Sequence, residues 1–204
     1  MNKLKTRFNW IGDDWKRVKN HCRTTMAKVF TENEPSDKFK KAMLINEHSP
    51  IRLLEFDWTW EEMPYWTHAE LARHKFEKFI SSQRNDRQNK YDRAAARQDV
   101  PVTFDGYANM QNLIDAWRKR LCFQASKEAR QYCENFKKTL HETHPLEANV
   151  LVPNCIYRGG CPEMTPCGFW ERFVERCVEN DVDINNIQDR YDAYNQYFYG
   201  EEKG

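Results

Sequence analysis

The chain has 204 residues, enough for one domain with its own core. Its 32 Lys+Arg nearly balance 31 Asp+Glu, a net charge of +1 that argues against a nucleic-acid coat protein. No segment reaches the roughly 18 apolar residues of a membrane span, Met1 to Trp10 lacks the apolar run of a signal peptide, and the odd count of seven cysteines forbids complete pairing, so a reduced, cytoplasmic protein is expected.

In chain order, Asp13 to Met26 predicts an amphipathic helix, with Trp15, Val18 and Cys22 at helical spacing. Glu34-Pro35-Ser36-Asp37 is a turn, and Ser36 can cap a second helix running to about Asn46. His48-Ser49-Pro50 breaks it. From Ile51 to Trp60, Leu54, Phe56, Trp58 and Trp60 recur at every second residue, the period of a strand. Pro64 suits the first turn of a third helix, with Ala69, Ala72, Phe76 and Phe79 along one face and Arg73-His74-Lys75 within it. Ser81 to Gln98 is polar, dense in Arg and Asp and without an apolar period, so it reads as a loop or an exposed helix.

Val100-Pro101-Val102 predicts a short strand or an extended link. Helices are expected over about Tyr107 to Leu121, where Met110, Leu113, Ile114, Trp117 and Leu121 form a stripe, and over Gln124 to Leu140. Pro145 marks an end, Asn149 to Cys155 reads as extended, and Gly159-Gly160-Cys161-Pro162 as a turn. Two last helices are expected over Thr165 to Glu179 and Asp183 to Phe198.

Asn109 and Arg120 are eleven residues apart, close to three helical turns, and so share one face. Leu113 and Trp117 lie on that face too, so Arg120 runs along an apolar stripe. A cation there needs a partner, either an ordinary ion pair at the rim of a core or a ligand anion or carbonyl. Arg73-His74-Lys75 groups three potential cations, which is either a solvated face or the cradle of a phosphate. Ser82-Gln83-Arg84 adds the hydroxyl and guanidinium that commonly hold one.

The order of these motifs resembles the flavin-dependent thymidylate synthases. That family's signature is Arg-His-Arg, seven residues, then Ser, often continued as Ser-Gln-Arg. Here Arg73-His74-Lys75 is followed by six residues and Ser82-Gln83-Arg84. Upstream, His48-Ser49-Pro50 and the strand after it are similar to the family's His-containing turn and strand. Downstream, Asn109 to Arg120 with Gln124-Ala125-Ser126-Lys127-Glu128 resembles its Asn-x-Arg helix and the stretch beyond, and Arg97, four residues before Pro101, resembles the Arg preceding its Leu-Pro.

The resemblance, spanning roughly His48 to Phe136, implies an α+β fold. It would be a mixed α/β subunit with a flavin- and nucleotide-binding domain over residues 1–145, and a Cys-containing loop with a helical C-terminal extension over 146–204. It implies a homotetramer with active sites where subunits meet. His48, Ser49, Arg73, His74, Lys75 and Asn109 would contact FAD. Ser82, Gln83, Arg84 and Arg97 would hold the phosphate and sugar of dUMP, and Arg120 would hydrogen-bond the uracil and stabilise charge developing on it. The reaction implied is methylation of dUMP to dTMP, with methylenetetrahydrofolate as carbon donor and NADPH as electron source.

The chain departs from the family in several places. Lys75 replaces the second Arg, the spacing to Ser82 is one residue short, Phe79-Ile80-Ser81 lacks the family's acidic residue, and Gln111 stands where Asn-x-Arg has its Arg. The stretch from Arg84 to Arg97 is short. These departures bear on folate use and methyl transfer more than on nucleotide binding. Two other readings stay open: a nucleotide-binding homologue without the original reaction, and a small zinc or nucleic-acid interaction module.

The last of these rests on Cys155, Cys161 and Cys167, each separated by five residues in a Gly/Pro-containing loop. Structural zinc sites usually pair cysteines two to four apart. Reduced cysteines in a packed extension are therefore expected and no metal site is assigned, with Cys177, His141 or His144 the candidates for a fourth ligand if there is one.

Overall fold

The structure, a computed structural model, describes residues 4–84, 87 and 92–200. Residues 85, 86 and 88–91, within the polar run from Ser81 to Gln98, fall outside them. Four antiparallel strands form one sheet in the order β1-β2-β4-β3: β1 (Thr6–Gly12), β2 (Glu55–Pro64), β3 (Glu77–Ile80) and β4 (Pro101–Asn109). Helices α1 (Trp15–Thr25) and α2 (Asp37–Ile45) follow β1, and a 3-10 turn (Ser49–Leu53) leads into β2. Helix α3 (Tyr65–Leu71) lies between β2 and β3. After β4 the chain is helical: α4 (Met110–Arg120), α5 (Lys127–Thr143), α6 (Pro145–Asn149), α7 (Asn154–Arg158), α8 (Phe169–Glu179) and α9 (Ile187–Gly200). Among the described residues no helix is long and apolar enough to cross a membrane.

The alternation in β2 sends Phe56, Trp58 and Trp60 inward, and Val102, Phe104 and Ala108 of β4 share that face. Against them pack Trp117 of α4 and Tyr132 and Phe136 of α5. Trp58 meets Phe136 edge-on with ring centroids 5.0 Å apart, and Trp117 meets Phe136 at 4.5 Å. Gly106 lies directly beneath Trp58; a Cβ there would stand 2.2 Å from the indole, so only glycine lets β4 pass. The buried cluster continues from Trp15 through the sheet to Phe169, Phe173, Tyr191 and Tyr194. Lys137 is fully buried where α5, α6 and α9 meet, donating to the Ala148 carbonyl at 2.8 Å and to Asn195 Oδ1 at 2.6 Å, and burial holds its pKa well below the usual lysine value.

The cap expected at Ser36 forms, accepting from Phe39 N–H ahead of α2. Asn109, expected inside a helix, instead caps α4 by accepting from Asn112 N–H. Other expectations are corrected. The third helix stops at Leu71, and Phe76 and Phe79 lie beyond it. The chain turns so that β3 pairs with β4 and satisfies its otherwise open edge. Tyr107 to Asn109 belong to β4 and not to α4, because they pair with Asp57 through Glu55. Pro145 opens α6 at a position where its missing N–H costs nothing. Strand β1 was not anticipated; it bulges at Asn9, between Phe8 and Trp10.

Candidate functional site

The C-terminal end of α4 carries the densest arrangement of the expected site residues. Arg120 donates from Nε to His74 Nε2 at 2.8 Å and from Nη1 to Glu70 Oε2 at 3.1 Å, with its side chain 15% exposed. Glu70 comes from α3 and His74 from the turn after it, so both partners lie 46 to 50 residues before Arg120 in sequence. Because Nε2 accepts, this His74 is neutral with its proton on Nδ1. Burial, then the charge of Arg120, then that of Lys78 depress the His74 pKa to about 4.

Lys78 of β3 completes the group. It donates to the carbonyls of His74 and Phe76, at 2.8 and 2.5 Å, and lies over the Phe76 ring, which is parallel to His74. Burial lowers its pKa, against an opposing contribution from Glu77. Neither Glu70 nor Lys78 was singled out from the sequence, although Glu70 stands four residues before His74.

Arg73 and Lys75 flank His74 on this turn and are exposed, not in a helix as expected. Ser82 and Gln83 are half-buried and Arg84 exposed, directly after β3. Ser82 Oγ accepts from Arg84 N–H at 3.2 Å, which curls the chain back on itself. Thus Arg73, His74 and Lys75 lie on the turn between α3 and β3, Ser82, Gln83 and Arg84 just after β3, and Arg120 at the end of α4. Arg97 is exposed and forks onto Asp99 at 2.9 and 3.1 Å, an ion pair within its own loop.

The remaining candidates gather on another side of α4. His48 and Ser49 are exposed at the start of the 3-10 turn. The residue before them, Glu47, binds Arg118 through both carboxylate oxygens and accepts from Gln111 Nε2 at 2.7 Å. Arg118 also stacks on Tyr157, 3.5 Å from the ring centre. At about 100° per residue, Gln111 and Arg118 lie roughly opposite Arg120 around the helix. The His48 turn and the His74 turn therefore flank opposite faces of α4. Asn109, at its N-terminus, has its side-chain oxygen committed to the cap.

Among the described residues no three His, Cys, Asp or Glu side chains stand as a ready metal site. All seven cysteines are free thiols. The suggested fourth ligands lie elsewhere: Cys177 is buried in α8, His141 packs on Tyr199 and His144 faces Asp13 at 3.5 Å. A cleft of about 410 Å³ opens over α1 beside Asp14, Arg17, His21 and Phe30, and shares no residue with the Arg120 group. None of its lining residues is among the expected site residues.

Neither a family model nor a curated protein matches the sequence. Solved structures do match in fold. Thymidylate synthase X (ThyX) from Helicobacter pylori, crystallised with FAD and dUMP, aligns with a TM-score of 0.60 at 12% identity, over 73% of this chain and 99% of that one. The UMP/dUMP methylase PolB from Streptomyces cacaoi, bound with 5-Br dUMP, aligns with a TM-score of 0.58 at 10% identity, over 74% of this chain and 95% of that one. The chain therefore has the mixed helix-and-sheet fold of the flavin-dependent thymidylate synthases.

Proposed function

We propose that this chain is a flavin-dependent enzyme that binds a pyrimidine deoxynucleotide and transfers a one-carbon group to it. The reaction it fits best is methylation of dUMP to dTMP, with methylenetetrahydrofolate as carbon donor and NADPH as electron source. The observation that carries this reading is the Glu70–Arg120–His74 constellation, placed on a fold shared with a synthase crystallised with dUMP and with a UMP/dUMP methylase.

In this reading Arg120 is the catalytic residue. Glu70 and His74 fix two of its nitrogens, and Nη2, which neither of them uses, is left for a uracil carbonyl, where a fixed cation stabilises charge as it develops on the base. A neutral His74 leaves Arg120 as the full cation between them. Ser82, Gln83 and Arg84 would hold phosphate and sugar, with Arg97 released from Asp99 to assist. Exposed Arg73 and Lys75 would meet the phosphates of FAD, and His48, Ser49 and Asn109 its ring system. FAD supplies the hydride chemistry when bound.

The FAD set tests this fit. Within one chain its two parts flank opposite faces of α4, so they converge on a single flavin only if neighbouring chains meet, as in a homotetramer. A second reading, a nucleotide-binding homologue with altered or lost chemistry, is favoured by Gln111: its amide is spent on Glu47 instead of facing a ligand.

The deciding experiment is tritium release from C5-labelled dUMP by the purified, flavin-reconstituted protein with methylenetetrahydrofolate and NADPH. Release is expected. Binding of dUMP without release would replace the first reading by the second, and absence of both flavin and dUMP binding would remove the two together.

A further inference from the structure

Residues 27–34 form no regular element, yet they fold back along α1 and are pinned to it at four places. Ala27, with φ of 53°, takes the left-handed turn that ends the helix and reverses the chain, a conformation that favours glycine. Arg23 then donates from Nε to the Val29 carbonyl at 2.7 Å. Buried Asn20 exchanges hydrogen bonds with the backbone of Thr31 at 2.9 and 3.0 Å. Lys19 donates to the carbonyls of Asn33 and Glu34 at 2.9 and 3.3 Å, and Lys16 pairs with Glu34 at 3.1 Å.

This pinning holds Phe30 where an apolar ring gains little, 66% exposed at the cleft of about 410 Å³ over α1. Arg17, His21 and Thr24 line the same cleft, at the i, i+4, i+7 positions of one helix face. Asp14 also lines it, with Oδ1 spent on the Arg17 backbone N–H at 2.9 Å, and Thr24 Oγ1 donates to the Asn20 carbonyl at 3.1 Å. The cations of α1 divide into two sets. Lys16, Lys19 and Arg23 hold the returning segment, whereas the side chains of Arg17 and His21 make no hydrogen bond or ion pair with any described residue.

We propose that this cleft is a second binding site, taking a ligand in which an aromatic ring is joined to a phosphate, a mononucleotide. The ring stacks on Phe30, and the phosphate takes the guanidinium of Arg17 and the imidazole of His21. The volume falls in the range of small-molecule pockets. Phosphate alone would leave Phe30 unused, and an uncharged ring would leave the two cations unused. Stacking on a phenyl ring tolerates any base, so phosphate and ring together, and not base identity, set the preference. The site is independent of the Arg120 group, with which it shares no residue.

The test is calorimetric titration of the full chain with AMP, whose purine also keeps the measurement away from a pyrimidine pocket. Adenosine, ribose 5-phosphate and inorganic phosphate serve as its fragments. One AMP per chain is expected, bound at least 10-fold tighter than any fragment. Phe30→Ala and Arg17→Ala should each weaken AMP at least 10-fold, and Arg120→Ala should leave it unchanged. Both α1-side residues are exposed, so their variants keep the fold, which circular dichroism checks. No AMP binding at millimolar concentration, wild-type affinity in either cleft variant, or phosphate bound as tightly as AMP would each overturn the site. Loss of AMP in Arg120→Ala would move the ligand to the Glu70–Arg120–His74 group and overturn it equally.

Discussion

Arg120 donates to Glu70 and His74 before any ligand arrives, so its position is set by the protein itself and not by substrate. Without Arg120, Glu70, 29% exposed, can turn toward water. Arg120→Ala is expected to weaken dUMP binding about 10- to 100-fold, the range for a charge-assisted hydrogen bond, with the circular dichroism spectrum unchanged. Calorimetric titration of dUMP checks it, and equal affinities in variant and wild type would remove Arg120 from the site. His74 gives a second prediction. Its pKa of about 4 in the folded chain lies below the ordinary value of 6.5, so the unfolded chain binds more protons between them. Stability from neutral His74 is complete above pH 6.5 and is lost as pH falls through that window toward 4, when protonation sets a second cation against Arg120. Urea midpoints at pH 7 and 5 should differ less in His74→Gln than in wild type. The need of Arg120 for a partner was legible in the sequence, since it extends an apolar stripe. The partners were not, because Glu70 and His74 reach it only after the chain reverses beyond α3.

Helix α4 is clamped on the face away from Arg120 by Glu47, which holds Arg118 and Gln111 together. The Arg118 and Glu47 side chains are 11% and 17% exposed, so removing one partner leaves a largely buried charge. Glu47→Ala should cost about 3 kcal/mol, the lower end for a broken buried pair, because Asp115 stands 3.8 Å from Arg118 and offers partial replacement. Denaturant unfolding measures this; a loss below ~1 kcal/mol would place the pair with solvent-screened surface bridges. At this scale the sequence reads well where period and cap agree, as in α2 behind Ser36 and β2 with its alternating aromatics. It misleads where small residues blur the pattern. Gly106 and Ala108 hid the alternation of β4, and Phe76 with Phe79 mimicked a helical face although Glu77 to Ile80 is an edge strand. The choice between strand and helix there was decided by the empty edge of β4, which no local pattern records.

For the whole molecule, the order of short motifs carried more than any one of them, since the fold they implied is shared with solved structures at only 10 to 12% identity. Motif order does not reveal assembly, and the two faces of α4 bear on that. Under the proposed function, one catalytic centre would take its His48–Ser49 part from one chain and its His74–Arg120 part from another. Damage to the two parts is then separable between chains. A protein carrying Arg120→Ala and one carrying His48→Ala, each inactive alone, should complement each other when unfolded together and refolded. Random mixing gives about a quarter of the centres two intact halves, and a corresponding fraction of wild-type tritium release. Variants damaged on the same face, such as Arg120→Ala with Arg73→Ala, should recover nothing when mixed, so the pattern of rescue would map which face of α4 each neighbouring chain supplies.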